Sequence, residues 1–346
     1  MKNPIYGRLP EGKRLDRIMK SPNYGKGQFQ NLSNTPALAE GHSYLEVLYQ
    51  YFFKKDKRRL PASVIPSIKP DLRKFELKED ILVWFGHSSY YIQLAGKRML
   101  VDPVFSGNAS PLRGTNKAFP GADIFHSEDI PDLDILFLTH DHYDHLDYKT
   151  VVQLKDRAKL IITGLGVGEH LELWGFDPSK FIELDWNEEY RSENFIINTT
   201  PARHFSGRGF TRNKSLWLSF VLETPNMKLF LGGDSGYDTH FAEIGKKFGP
   251  FDLAILEDGQ YDVKWKYIHL LPEEVLKAAR DLHAKRLFPI HNSKFAMSNH
   301  AWDDPLRKIT VANNNYHIPL VTPIIGEPVY LKNGQQQFKK WWEDVR

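Results

Sequence analysis

Residues 139–145 read Thr-His-Asp-His-Tyr-Asp-His, which puts three imidazoles and two carboxylates within seven positions. Imidazole nitrogen and carboxylate oxygen are the ligands that zinc and its divalent neighbours accept. His140 and His142 stand two apart, so in extended backbone both rings turn to one side and can reach one ion. Asp144 and His145 then turn the chain toward a second position. The remaining ligands must come from elsewhere, with His204 and His291 as the nitrogen candidates. Asp234 can lie between two ions, one oxygen to each, at the ~3.5–4 Å separation of two-metal sites. A water shared by two such cations is expected to fall in pKa from about 15.7 toward about 7. The expected nucleophile is therefore a bridging hydroxide, attacking a carbonyl or phosphoryl centre.

These groups need elements that deliver them to one point. His140 follows the apolar run Asp134-Ile-Leu-Phe-Leu, which reads as a buried strand. His204 follows Phe195-Ile-Ile-Asn-Thr-Thr-Pro-Ala-Arg, Asp234 follows Leu229-Phe-Leu-Gly-Gly, and His291 closes Arg286-Leu-Phe-Pro-Ile. Ligand-type side chains at four strand ends are how a sheet-based enzyme converges distant residues. From Asp80 onward short strand-like runs dominate, with helix patterns between them, notably Pro272 to Lys285, where proline opens the first turn. Many strands with interspersed helices and no internal repeat predict an α/β (α+β) fold of two sheets covered by helices. Residues 1–75 are rich in Pro, Gly, Asn and Lys and read as an extension wrapping a main domain of residues 76–346. Within the extension, Leu45, Leu48, Tyr49, Phe52 and Phe53 recur at helical spacing from Ser43 to Lys55. That stripe is expected to dock the extension onto the body rather than to anchor it in lipid.

The balance of charges excludes some partners. Net charge is +3 in 346 residues, too mild for a nucleic-acid binder. A small-molecule or lipid substrate fits better, with peripheral membrane contact left open and oligomeric state undetermined. There is no cysteine, so disulfides, thiolate nucleophiles and sulfur-ligated zinc are excluded. No Gly-x-Ser-x-Gly elbow supports covalent catalysis. No run approaches the ~18 apolar residues of a membrane span, and the first residues lack a leader's apolar core, so the expected location is cytoplasmic.

The order His140-x-His142-x-Asp144-His145, then His204, Asp234 and His291, resembles the metallo-β-lactamase superfamily. Gly86-His-Ser-Ser, residues 96–105, Pro201 to Arg208 and Gly233-Asp-Ser-Gly-Tyr resemble its branch containing N-acylphosphatidylethanolamine-hydrolysing phospholipase D. The ascorbate-phosphate lactonases are a more distant arm of that group. The resemblance spans roughly residues 15 to 300 and implies a four-layer αββα sandwich with a dinuclear site at one edge. It implies that His140, His142 and His204 bind one ion, that Asp144, His145 and His291 bind the other, and that Asp234 bridges. The ions would be two Zn2+, with Mn2+ or Fe2+ accepted by the same ligands. His269 matches a histidine near the substrate phosphate, and is assigned a catalytic role with Asp144 and Asp234.

Around this set, His87 and Asp102 are expected to support ligands or line the cleft, Asp102 by orienting a ligand histidine. Arg203 or Arg208 is expected to face the ions and hold a phosphate. Glu257 and Asp258 depart from the relatives, and two carboxylates beside the cleft would repel a phosphate. The resulting expectation is a zinc-dependent hydrolase acting on a phosphodiester such as an N-acylphosphatidylethanolamine-like phospholipid. The alternatives are a lactonase or other acyl ester hydrolase, a redox di-iron protein, or a degenerate binding module that has lost its ligands.

Overall fold

The computed structural model describes residues 3–112 and 114–345. A short hairpin, β1 (Tyr24–Gly25) and β2 (Gln28–Phe29), belongs to the extension. One sheet contains β3 (Ile81–Trp84), β4 (Tyr90–Leu94), β5 (Lys97–Val101), β6 (Leu133–Leu138), β7 (Ala158–Gly164), β8 (Phe181–Leu184) and β15 (Pro328–Tyr330), in the order β15-β3-β4-β5-β6-β7-β8. The second contains β9 (Glu189–Arg191), β10 (Ile196–Thr200), β11 (Ser219–Glu223), β12 (Lys228–Leu231), β13 (Leu253–Glu257) and β14 (Leu287–Ile290), in the order β14-β13-β12-β11-β10-β9. β6 lies between parallel neighbours β5 and β7 and is buried on both faces, which is why its sequence is a continuous apolar run rather than an alternation.

The second sheet shows how strand alternation sorts side chains between layers. Leu229, Leu231 and Ile255 face the core between the sheets, where Phe220 meets Phe137 with ring centroids 4.9 Å apart. Phe230, Ala254 and Leu256 face the other way, onto Phe241 and Ile244 of α5 (His240–Phe248), Val275 and Leu276 of α6 (Pro272–Asp281) and Ile309 of α7 (Asp304–Ala312). α3 (Tyr148–Gln153) and α4 (Gly168–Leu173) join the first cluster through Val151 and Leu171. The result is the expected sandwich of two sheets with helices outside them. β8, β9 and β15 escaped the sequence reading. β8 carries a charged Glu183, β9 is a polar edge strand, and β15 opens on a proline that only an edge tolerates.

Strand direction places the chemistry. β3, β5 and β6 run the same way, since β3 and β5 both pair antiparallel with β4 and β5 pairs parallel with β6. β10, β12, β13 and β14 are likewise co-directional. The carboxyl ends of these strands carry His87, Asp102, His140, His204, Asp234, Glu257 and His291.

The extension contacts the body along much of its length, and two of these contacts lie close to the site's scaffold. Arg14 of α1 (Gly12–Met19) reaches Glu169 (2.7 Å), Glu172 (2.5 Å) and Glu183 (2.7 Å), and two of those carboxylates are buried. Asn31 then pairs with the backbone of His204, donating to its carbonyl (2.7 Å) and accepting from its N–H (3.1 Å). α2 (Tyr44–Phe53) begins where the Ser43 hydroxyl accepts from Glu46 N–H. Its apolar stripe corrects an expectation: Leu45, Leu48, Tyr49 and Phe53 are exposed instead of packed on the body. The Phe52 side chain lies outside the described residues. α2 puts Tyr44 and Val47 on the cleft and leaves Leu45, Leu48 and Tyr49 on its solvent side.

Removing Arg14 leaves the buried Glu183 without a cation, while Glu169 keeps Arg8, and losing one partner of a buried pair costs about 3–5 kcal/mol. Arg14→Met is expected to lower the urea-unfolding free energy by about that amount. A loss under about 1 kcal/mol would show that the extension is held by other contacts.

Candidate metal centre

Three imidazoles converge at the end of β6. His140 Nε2 lies 2.9 Å from His142 Nδ1, which lies 3.2 Å from His204 Nε2. The far nitrogens fix what these near ones carry. His204 Nδ1 donates to the Ile268 carbonyl (2.8 Å), so its Nε2 presents a lone pair. Thr139 Oγ1 donates to Asp102 Oδ2 (2.6 Å) and accepts from His140 Nδ1 (3.0 Å), so His140 Nε2 presents one too. Burial, reinforced by neighbouring imidazoles, pushes His140 and His204 well below the usual histidine range. Two lone pairs aimed at the same His142 nitrogen need a proton or a cation among them.

The second set adjoins the first. His145 Nε2 is 3.5 Å from Asp144 Oδ2 and 3.2 Å from Asp234 Oδ1, and His291 Nε2 is 4.0 Å from Asp144 Oδ2. His145 Nε2, His291 Nε2 and Asp234 Oδ1 are buried atoms with no hydrogen-bond partner. Asp234 joins the two sets: its Oδ2 is 4.0 Å from His140 Nε2 and 3.7 Å from His204 Nε2, while Oδ1 faces His145 and, at 3.3 Å, His291 Nδ1. Burial alone would raise Asp144 and Asp234, but the surrounding imidazoles hold both well below the carboxylate range. In His145 burial is likewise outweighed, and Asp234 and Asp144 raise its pKa well above the usual range. Orphaned lone pairs around two carboxylates that demand positive charge fit divalent cations.

A surrounding layer aims these groups. Asp102, buried, accepts from Thr139 N–H (2.9 Å), from the Thr139 hydroxyl and from His145 Nδ1 (2.8 Å). One carboxylate therefore orients His145 directly and His140 through Thr139. Ser88 Oγ meets His291 Nδ1 at 2.8 Å, and His87 Nε2 meets Asp144 Oδ2 at 3.0 Å. Asp141, the second carboxylate of the opening cluster, turns away and binds Gly207 N–H (2.6 Å), Ser215 Oγ (2.7 Å) and His170 Nε2 (3.2 Å). The loops must pass close together to achieve this. A Cβ on Gly233 would lie 2.9 Å from Thr139 Cβ, and one on Gly259 would lie 2.1 Å from the His291 carbonyl oxygen.

The cluster floors a cleft of about 370 Å³, lined by His142, Asp144, His204, Asp234, His269 and Arg212 among polar groups and by Leu38, Tyr44, Val47, Phe205 and Met297 among apolar ones. His269 stands on its wall, with Nδ1 2.6 Å from Glu257 Oε2. Burial alone would lower His269, but Glu257 outweighs it and raises the pKa to about 9. The expected repulsion by Glu257 and Asp258 is corrected here. Glu257 is buried and saturated by His269, Ser235 N–H (2.6 Å) and Leu270 N–H (3.3 Å), and Asp258 is fully buried, where burial raises its pKa well above the carboxylate range. Arg203 and Arg208 also differ from expectation. Arg203 donates to the Tyr237 and Asn34 carbonyls, and Arg208 to the Ile5, Asp141 and Leu146 carbonyls, so both guanidinium groups brace loops. The arginine on the cleft is Arg212, which carried no motif signal. Ser88 and Thr139 adjoin recognised motif residues, whereas Asn31 had no signal in sequence.

The shared role of Asp102 makes a prediction for metal loading. Asp102→Asn is expected to weaken both binding steps about 10–100-fold in chelator competition, and Thr139→Val only the step that uses His140. Equal weakening of both steps by Thr139→Val would contradict the relay through Thr139.

Comparison with known proteins agrees with this geometry. The family model described as beta-lactamase superfamily domain matches residues 97–292. An uncharacterized protein of Mycobacterium tuberculosis is 34% identical over 330 residues, covering 93% of this chain and 88% of that protein. The N-acyl-phosphatidylethanolamine-hydrolyzing phospholipase D 1 of Caenorhabditis elegans is 32% identical over 233 residues, covering 62% of this chain and 64% of its own length. Among solved structures, the metallo hydrolase Igni18 of Ignicoccus hospitalis shares the fold, with a TM-score of 0.54 and 20% identity over 73% of this chain and 98% of that one. With two ligand-rich sets at the edge of a two-sheet sandwich and these relatives, the chain belongs to the beta-lactamase superfamily and is a metal-dependent hydrolase of the metallo-β-lactamase fold.

Proposed function

We propose that this protein is a phosphodiesterase of the phospholipase D type, acting on a phospholipid resembling N-acylphosphatidylethanolamine. In this reading His140, His142 and His204 hold one divalent cation, Asp144, His145 and His291 hold a second, and both are zinc. The observation that carries it is Asp234, whose two oxygens face the two sets separately. When bound, such cations supply Lewis acidity and lower the pKa of water enough for attack at neutral pH.

The chain's own residues supply the remainder. Glu257 accepts a hydrogen bond from His269 Nδ1–H and thereby leaves Nε2 for the substrate. His269 at that nitrogen holds a proton, binds a phosphoryl oxygen and delivers the proton to the leaving oxygen. Arg212 adds a fixed positive charge on the same cleft, which favours a phosphodiester over an uncharged lactone. Leu38, Val47, Phe205 and Met297 give the cleft an apolar wall suited to an acyl chain. The phospholipase relative of Caenorhabditis elegans is consistent with that substrate class.

Metal-loaded protein is expected to hydrolyse bis(p-nitrophenyl) phosphate and N-acylphosphatidylethanolamine, and to lose this activity on chelation. His269→Ala is expected to lower kcat about 100-fold, and Arg212→Ala to raise KM about tenfold with kcat nearly unchanged. Turnover of lactones alone in a parallel screen would sink the phosphodiesterase reading.

A further inference from the structure

The mouth of the cleft is ringed by apolar side chains that point away from the protein. On α2, Tyr44 and Val47 line the cleft while Leu45, Leu48, Tyr49 and Phe53 face outward, with Leu45 at 79% and Phe53 at 77% exposure. Across the opening, Phe205 and Arg212 line the cleft and the loop tip between them carries a fully exposed Phe210. A third segment contributes Ala109 and Asn116 to the wall and an exposed Leu112 between them. A water-soluble surface rarely gathers such residues from three segments around one opening.

Charge around the rim indicates what meets it. Phe53 is followed at once by Lys54-Lys-Asp-Lys-Arg-Arg59, five basic residues to one acidic. Lys54, Lys55 and Lys57 of this run are exposed, whereas Arg58 pairs with Asp303 and Asp304, and the Lys54 ammonium lies 5.5 Å from the centre of the Tyr49 ring. Arg212, beside Phe210, adds another positive charge. An outward apolar helix face flanked by lysine and arginine is the arrangement that seats in the interface of an anionic bilayer.

We propose that the rim formed by α2, Phe210 and Leu112 is a docking surface for an anionic lipid bilayer, which seats the mouth of the cleft directly on the membrane. This goes beyond the substrate assignment, and the proposal stands whether or not the lipid in contact is the one cleaved.

The test is co-sedimentation of the full chain with vesicles of phosphatidylcholine containing phosphatidylglycerol, and with vesicles of phosphatidylcholine alone. Wild-type protein is expected to pellet with the anionic vesicles, and to be largely released by high salt. Leu45→Ser/Phe53→Ser, and separately Lys54→Glu/Lys57→Glu, are each expected to weaken binding about tenfold or more. Phe210→Ser provides an independent variant from the opposite side. All three are expected to keep wild-type turnover of a soluble diester, which shows that they are folded. Wild-type protein remaining in the supernatant would overturn the proposal, as would unchanged pelleting of all three variants. A dimer in analytical ultracentrifugation that dissolves on Leu45→Ser/Phe53→Ser, without vesicle binding, would overturn it in favour of self-association. Pelleting requires no turnover, so docking and the phosphodiesterase reading can fail independently.

Discussion

The structure depends on one electrostatic constraint: buried imidazole lone pairs face one another, at 2.9 and 3.2 Å in one set, around two buried carboxylates. Left to themselves such groups would take protons, turn outward or pair with each other. Here the far nitrogens of His140 and His204 are each committed to a protein acceptor, which makes their near nitrogens present lone pairs. The arrangement is stable only with positive charge at its centre. Much of the surrounding architecture keeps these side chains from escaping it.

Asp102 illustrates how few groups that takes. A single carboxylate spans Thr139 and His145 and so ties one member of each set to a common reference. The backbone absorbs the cost of bringing the loops together. Asp102, His87 and His291 all adopt left-handed φ values, of 41°, 53° and 66°. For residues with a Cβ each costs roughly 1–2 kcal/mol, offset here by the packing of two sheets beneath. Gly233 and Gly259 remove the side chains that would otherwise hold these loops apart.

The extension serves the same site from outside. Asn31 clamps the backbone of His204, Arg203 braces residues 34 and 35, and Leu38 and Tyr44 become cleft wall. Arg14, held by three carboxylates, fixes where that segment starts. One part of the cleft wall is thus supplied by residues before the first strand of the main sheets. α2 then turns its apolar stripe outward at the same opening.

The candidate ligand positions were legible because chemistry and periodicity coincide in them: imidazoles and carboxylates stand soon after apolar runs that read as buried strands, as with Leu133–Leu138 before His140. Family order added the proposed partition between two ions. The fold class was legible for the same reason, since two-residue alternation and continuous apolar runs are properties of the chain alone. Side-chain direction was not. Glu257 and Asp258 read as cleft charges but are buried, one paired with His269 and the other held toward neutrality by burial. Arg203 and Arg208 read as phosphate ligands but cap carbonyls, while Arg212 faces the cleft. α2 read as a packing helix but exposes its apolar face. Residue type and spacing determined which groups could bind metal and on which strands they ride. Which way a loop side chain points depends on carbonyls and loops brought from 67 to 173 residues away, and only the tertiary structure decides that.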